Sequence, residues 1–334
     1  MSDPKSLWRA ARNPPTDPTQ LSFKGKTVLV TGANSGLGYA AAVKYAAQGA
    51  STLILGVRTR EKGEQTKAAI VRATGRSPDI FVVLVVDLDS FESVKAFAAR
   101  VNTAAPKLHI LQLAGGVMKT AYAITEDGHE ATLQDNALSP ALLALLLLPK
   151  LRDTATAEGT TEPCYISFVN SVAHAEVKVA DLPPTSSSQT LVGRCDDEAQ
   201  FDFQKQYFLV KLVAWYAMRG VADKSRSIAP NNAVVVNATC PGLCKTNMVR
   251  DLPLGARVAM AVTYFIMGRS SEQGARTMVS ATSLGPESHG KFWTNDIYPA
   301  SSELLASELG ESLYQKTWAE IMNILRPFVD SGAL

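Results

Sequence analysis

Tyr207 and Lys211 stand four residues apart in a stretch that reads as a helix, so both project from one face. The pair sets a phenol beside an ammonium. A neighbouring positive charge favours phenolate, which lowers a tyrosine pKa from about 10 by ~1–3 units. A tyrosine tuned in this way exchanges a proton near neutral pH. No other tyrosine of the chain has a lysine at this offset. Far upstream, Thr31-Gly32-Ala33-Asn34-Ser35-Gly36-Leu37-Gly38 forms a glycine-rich turn. Such a turn lets backbone approach a dinucleotide pyrophosphate. A proton donor and a dinucleotide together point to hydride transfer to or from a carbonyl.

The elements that must position these groups alternate between strand and helix from Lys26 to about Trp293. Strands are expected at 27–30, 51–55, 81–86, 108–113, 165–169 and 233–238. Helices are expected at 39–48, 60–73, 90–102 and about 126–151, with the Tyr207 helix running to about Val221. Apolar strands separated by helices predict an α/β fold, a Rossmann-like, doubly wound parallel sheet with helices on both faces. No composition break divides residues 23–334, so they are expected to form a single domain. Residues 1–22 contain Pro4, Pro14, Pro15 and Pro18 and no apolar stretch. They read as a loosely structured arm and not as a secretory signal.

The glycine turn lies between the first strand and the first helix. Gly32, Gly36 and Gly38 allow a tight turn, and the helix N-terminus behind it suits a pyrophosphate. The spacing is Gly-x-x-x-Gly-x-Gly, and a lone turn of this kind is also compatible with a plain loop. The second strand runs into Gly56-Val57-Arg58-Thr59-Arg60. An acidic residue there would bind the adenosine ribose hydroxyls and favour NAD. Arg58 offers instead a fork of donors to a 2′-phosphate, which predicts NADP(H). Asp87 and Leu88, after the third strand, are placed to bracket the adenine, although Asp87 also reads as an N-terminal cap for the next helix.

Composition narrows the classes. A formal net charge of +2 without a basic block gives no electrostatic case for nucleic acid. Cys164, Cys195, Cys240 and Cys244 form no Cys-x-x-Cys pair, and the four histidines are scattered, so no metal site is expected. The cysteine pattern fits an intracellular, cytoplasmic reducing compartment. The run 138–149 (LSPALLALLLLP) is shorter than the about 20 residues a bilayer span needs and reads as a buried core helix.

With these residues in place the chain resembles the short-chain dehydrogenase/reductase family, and within it the NADP-using, retinol-dehydrogenase-like branch and its fungal secondary-metabolism relatives. The likeness rests on an ordered set: Thr31 to Gly38, Asp87-Leu88, Asn136, Ser171, Tyr207 with Lys211, and Pro241-Gly242. It implies that Asn136, Ser171, Tyr207 and Lys211 form the catalytic group. Tyr207 would be the general acid for ketone reduction, or the base for alcohol oxidation. Lys211 would lower its pKa and bind the nicotinamide ribose. Ser171 would hydrogen-bond the substrate oxygen, and Asn136 would hold a water linking Lys211 to solvent. Asn34, Ser35 and Leu37 would line the cofactor with the three glycines. Pro241, Gly242 and Thr246 would line the nicotinamide, and His174 would be a neighbour rather than a participant.

Two departures stand out. The family's Asn-Asn-Ala-Gly after the fourth strand is here Leu113-Ala114-Gly115-Gly116. The absent asparagines would brace the sheet, while Ala114 and Gly115 still leave room for a cofactor. Residues 180–204 form an insert between Ser171 and Tyr207, which reads as a surface loop at the pocket mouth. The segment near 247–270, with its greasy run 258–267 (VAMAVTYFIM), resembles the family's substrate flap. A core helix, an oligomer interface and peripheral membrane contact are the other readings of that run. The expected substrate is a bulky apolar ketone or alcohol, probed against two alternatives: a redox-neutral isomerase or epimerase using the same site, and a cofactor-binding scaffold without turnover.

Overall fold

The first strand, β1 (Thr27–Thr31), is buried at every position, as expected of a strand covered on both faces. In the computed structural model, residues 8–9, 11–159, 162–184, 187–228, 233–245 and 254–329 are described. β1 is joined in one parallel sheet by β2 (Thr52–Val57), β3 (Phe81–Val85), β4 (Ile110–Leu113), β5 (Cys164–Val169), β6 (Val234–Thr239) and β7 (Phe292–Trp293). The strand order is β3-β2-β1-β4-β5-β6-β7. The order reverses between β1 and β4, which opens a crevice at their carboxyl ends. The expected fold is therefore the observed one.

Helices cover both faces. On one side pack α1 (Gly36–Ala47), α2 (Arg60–Thr74) and the later α8 (Ser271–Ala281), through Ala41, Tyr45, Ile70, Ala275 and Met278. On the other pack α3 (Phe91–Ala104), α4 (Ala131–Ala155), α6 (Phe203–Ile228) and α9 (Glu308–Leu325). Phe97, Leu142, Leu145, Leu212, Val213 and Ile321 meet there with almost no exposure. Full burial of each such side chain stabilises by about 1.5–3 kcal/mol. Local signals set the ends. Thr59 caps α2 by accepting from Lys62 N, and Gly75 closes it with φ of 69°. Ser90 caps α3, which makes Asp87 free of that duty.

Several expectations need correction. α1 starts at Gly36, three residues before Tyr39, because the last glycines of the turn already form its first helical turn. α4 starts at Ala131 rather than near 126. Residues 124–130 fold into a hairpin turn, with Ile124 bridging Glu130, and the Glu130 carboxylate caps the helix. α4 also contains a π-helical turn, Gln134–Leu138. Pro140 accounts for it: its ring presses on the carbonyl four residues back and it has no N–H to give, so the helix widens there. α4 is long and apolar enough to cross a bilayer, but 94% of its most apolar window is buried inside the protein. α6 continues to Ile228, past the expected Val221.

The insert is not a bare loop. It contains α5 (Leu191–Cys195), whose Leu191, Val192 and Cys195 are buried. Thr190 bonds Glu320 of α9, and Asp196 accepts from Glu130 N and pairs with His129. Nor is the arm loose where it is described. Asp17 pairs with Lys44, Thr16 N bonds Asp296, and Arg269 and Arg276 donate to the carbonyls of Asn13 and Pro15. Prolines held the arm extended; the cations beneath it supplied the anchor.

Candidate active site

The cleft at the strand reversal is lined by the turn from Gly32 to Gly38, by Arg58 and Leu88, and by 114–118. Gly32 has φ of 64°, a region that disfavours side chains, and a Cβ there would stand 2.9 Å from the Cα of Gly115. A Cβ on Gly115 would strike Leu88 at 2.6 Å. This backbone is bare where a flat, charged ligand needs to lie against it. Ser35 sits at the N-cap of α1 without bonding the helix, so the first N–H groups of α1 keep their capacity for an anion.

The loss of the family's asparagines is made good by two other residues. Thr31 Oγ1 accepts from both Ala114 N and Gly115 N, at 3.1 Å each. Gln112 donates to the Ser167 carbonyl and accepts from the Tyr45 hydroxyl, which ties β4 to β5 and to α1. Neither role was anticipated.

Arg58 lies half-exposed at the cleft, with Asp87 at 3.8 Å. Lys62, one turn into α2, lines the same cleft. No spacing rule pointed to it, because Arg58 lies before the Thr59 cap and outside the helix. Asp87 accepts from Asp89 N, closing a turn that carries Leu88 at its centre. Leu88 lines the cleft as expected; Asp87 does not, and stands beside it against Arg58.

Beside Gly116, which lines the cleft, the four proposed catalytic residues converge. Asn136 sits in the π-helical turn, and a Cβ on Gly116 would meet its Oδ1 at 2.7 Å. That oxygen accepts directly from Lys211 Nζ at 2.9 Å. The Asn136 amide donates to the carbonyls of Val117 (2.7 Å) and Thr132 (2.8 Å). Lys211 therefore touches Asn136 itself, where the resemblance implied a water between this residue and solvent. Lys211 Nζ stands 5.6 Å from the centre of the Tyr207 ring. Ser171, at the end of β5, hydrogen-bonds the Tyr207 hydroxyl and accepts from Ala173 N at 3.2 Å. Asn170, not singled out from the sequence, accepts from Ser171 N and donates to the Lys211 carbonyl, locking strand end to helix. Pro241 and Gly242 (φ of 80°) follow β6, and Gly242 N bonds the Cys240 thiol.

The electrostatics depart from the simple pair. Burial pushes the Tyr207 phenol up to about 12, with the Ser171 bond pulling the other way. Burial lowers the Lys211 ammonium to about 8. The expected depression of the tyrosine by the lysine does not appear: loss of solvent dominates the phenol, and the bond that lowers it comes from Ser171, not from Lys211. The phenol keeps its proton across the neutral range. His174 is buried and held neutral, lowered to about 4 by burial. Its Nδ1 meets the Ser171 carbonyl at 2.6 Å, and its ring packs on Trp215 and Phe292. It is a neighbour that fixes the Ser171 backbone.

Thr246 lies outside the described residues. Around it, Lys245 N donates to the Arg269 carbonyl and Arg269 N to the Leu243 carbonyl, so both ends of the 246–268 excursion are pinned together. Its helix, α7 (Leu254–Met267), leaves Phe265 91% exposed and Ile266 50% exposed. That excludes the core reading for this end of the run. Tyr264, on the same turn, is close enough to Tyr207 to influence its titration.

Residues 26–188 match the family model described as short chain dehydrogenase. A short-chain dehydrogenase/reductase of Aspergillus flavipes (ffsI) is 41% identical over 96% of this chain and 91% of its own. Among solved structures, a short chain dehydrogenase from Burkholderia cenocepacia in complex with NADP has a TM-score of 0.60, with 19% identity over 82% of this chain and 97% of that one. A 7α-hydroxysteroid dehydrogenase complexed with NADH and 7-oxo glycochenodeoxycholic acid also scores 0.60, at 16% identity over 86% and 98%. These two likenesses speak for the fold alone, and their different cofactors leave the choice of nucleotide to the residues after β2.

Proposed function

Because the chain belongs to the short-chain dehydrogenase/reductase family of oxidoreductases, we propose that it is NADP-dependent and moves a hydride between nicotinamide and a bulky apolar ketone or its secondary alcohol, in the cytoplasm and in secondary metabolism. The observation that carries the reading is the meeting of Asn136, Lys211, Tyr207 and Ser171 beside a glycine-lined cleft. NADP(H), when bound, supplies or accepts the hydride. The residues present fit it. Gly32, Gly36 and Gly38 with the α1 N-terminus would take the pyrophosphate, Arg58 and Lys62 the 2′-phosphate, and Lys211 the nicotinamide ribose.

Within the site, Ser171 orients the substrate oxygen and Tyr207 gives it a proton. A phenol raised to about 12 is protonated at neutral pH, which suits the reductive direction. Lys211, fixed by Asn136, keeps a cation behind the phenol as it transfers its proton. The altered 113–116 motif removes no member of this group, since Thr31 braces the loop in its place.

The nucleotide choice is tested at Arg58. Arg58→Ala should raise the Kd for NADPH by about 10-fold or more, the scale of a lost charge-assisted contact, and leave NADH nearly unchanged. Fluorescence titration of both cofactors decides it; equal wild-type affinity for NADH and NADPH overturns the assignment. The substrate class is tested at Phe265. Its side chain is too exposed to support the core, so Phe265→Ala should leave the melting midpoint unaltered. As part of a flap it should raise KM for a bulky ketone without changing the Kd for NADPH. An unaltered KM removes this residue from substrate binding.

A further inference from the structure

Next to Asn136 stands a carboxyl that the mechanism above does not use. Asp135 is 1% exposed, lines the cleft, and has an Oδ1 with no hydrogen-bond partner. Its other oxygen lies 4.0 Å from Arg58 Nη2. The groups facing it come from three places. Arg58 follows β2, Asp87 and Asp89 follow β3, Lys119 follows β4, and Asp135 itself rides on the π-helical turn of α4. Lys62 lines the same cleft from α2. Two carboxylates, Asp87 and Asp135, thus flank one guanidinium, a third, Asp89, acts on Asp135, and among the described residues these acids make no metal-binding group.

A buried carboxylate with an unpaired oxygen is costly to keep charged. Here burial, and then Asp89, hold the Asp135 carboxyl up to about 8, against the pull of Arg58. An anion resting on Arg58 would add another negative charge beside it and favour the neutral acid further. The reverse holds by linkage: an ionised Asp135 competes for Arg58 and repels what Arg58 binds.

We propose that Asp135 is a proton-linked specificity residue for the cofactor, taking up a proton as a 2′-phosphate settles on Arg58 and so making NADPH binding, but not NADH binding, weaken with rising pH. The proposal rests on the reading of Arg58 as the 2′-phosphate site. It differs from an ordinary ion pair in that the acid helps by being neutral. The sign follows from the charges. Below the carboxyl's pKa, Asp135 is neutral and Arg58 is free for phosphate; above it, the carboxylate opposes the phosphate.

The test is binding, with NADPH and NADH as probes, from about pH 7 to about pH 9, where the phosphate is already dianionic. Lys211, lowered to about 8 by burial, titrates in the same window but would meet the ribose common to both cofactors, so the quantity read is the ratio of the two Kd values. In wild type the NADPH Kd should rise relative to the NADH Kd by about tenfold over that range, within the limit of one linked proton. Asp135→Asn should flatten the NADPH profile and bind NADPH more tightly than wild type at the alkaline end. Calorimetry in two buffers of different ionisation enthalpy should show fractional proton uptake on NADPH binding near pH 8, absent in Asp135→Asn. A flat wild-type profile, or a slope that survives in Asp135→Asn, overturns the proposal while the cofactor reading stands. A slope shared equally by NADH, which leaves the ratio flat, also overturns it, since nothing in the slope would then belong to the 2′-phosphate. If wild type at pH 7 favours NADPH no more than NADH, the cofactor reading fails and takes this proposal with it.

Discussion

Replacing Tyr207 with phenylalanine should lower turnover by about 10²-fold or more, the scale of general acid catalysis, or roughly 2.7 kcal/mol in the barrier. The change removes one hydroxyl from a site whose other members are fixed independently. Lys211 is held by Asn136, and Ser171 by Asn170 and Ala173 N. Cofactor affinity and melting midpoint should therefore barely move. The comparison needs kcat with a panel of bulky ketones and NADPH, a Kd for NADPH and a melt, all from one preparation. Near-normal turnover in Tyr207→Phe would hand the proton to another group and favour the reading of a scaffold that binds without catalysis. Turnover without net NADPH consumption in wild type would favour the isomerase.

The second large effect is expected at Gly38. A Cβ there would stand 2.3 Å from the Gly32 carbonyl oxygen and 2.8 Å from its carbon, both backbone. Neither atom can rotate away. Gly38→Ala must open the turn, at a cost of about 1–3 kcal/mol of overpacking, and the opened turn no longer fits a pyrophosphate. Kd for NADPH should rise at least ~10-fold, and the melting midpoint should fall. Gly255→Ala is the control. Among the described residues nothing lies within 4 Å of its Cβ position, so NADPH affinity should be unaffected. Equal affinities in the two variants would show that the turn does not hold the cofactor.

What was legible in the sequence was local. The order of strands and helices, the glycine turn and the Tyr207–Lys211 spacing are all written in short periods. The Asn136, Ser171 and Tyr207 positions follow from motifs, and the structure brings these residues together. What was not legible depends on burial and on distant partners. The phenol's upward shift comes from tertiary packing, which no spacing of charges records. Asp135 gained meaning only when the fold set it beside Arg58. Thr31 as a brace needed the 114–115 backbone to arrive from another strand. The π-helical turn has a visible cause in Pro140. The arm's anchorage is not legible, because proline content reports stiffness and says nothing of Arg269 and Arg276 beneath it.

The pinned base of the 246–268 excursion has a consequence for how such a protein can be altered. Leu243, Lys245 and Arg269 close it with main-chain bonds, and Arg269 is itself anchored to Pro241 and to the arm. The sheet and the nucleotide cradle therefore see the same fixed boundary whatever lies beyond it. Closing a longer excursion costs little, about 0.6 kcal/mol for each doubling of length. The segment is thus a cassette, tied to the proton-transfer group only where Tyr264 nears Tyr207. Exchange or lengthening between these two anchor points is a route by which substrate range can diversify, in evolution or by grafting, while the turn and the residues after β2 that choose the nucleotide are inherited unchanged.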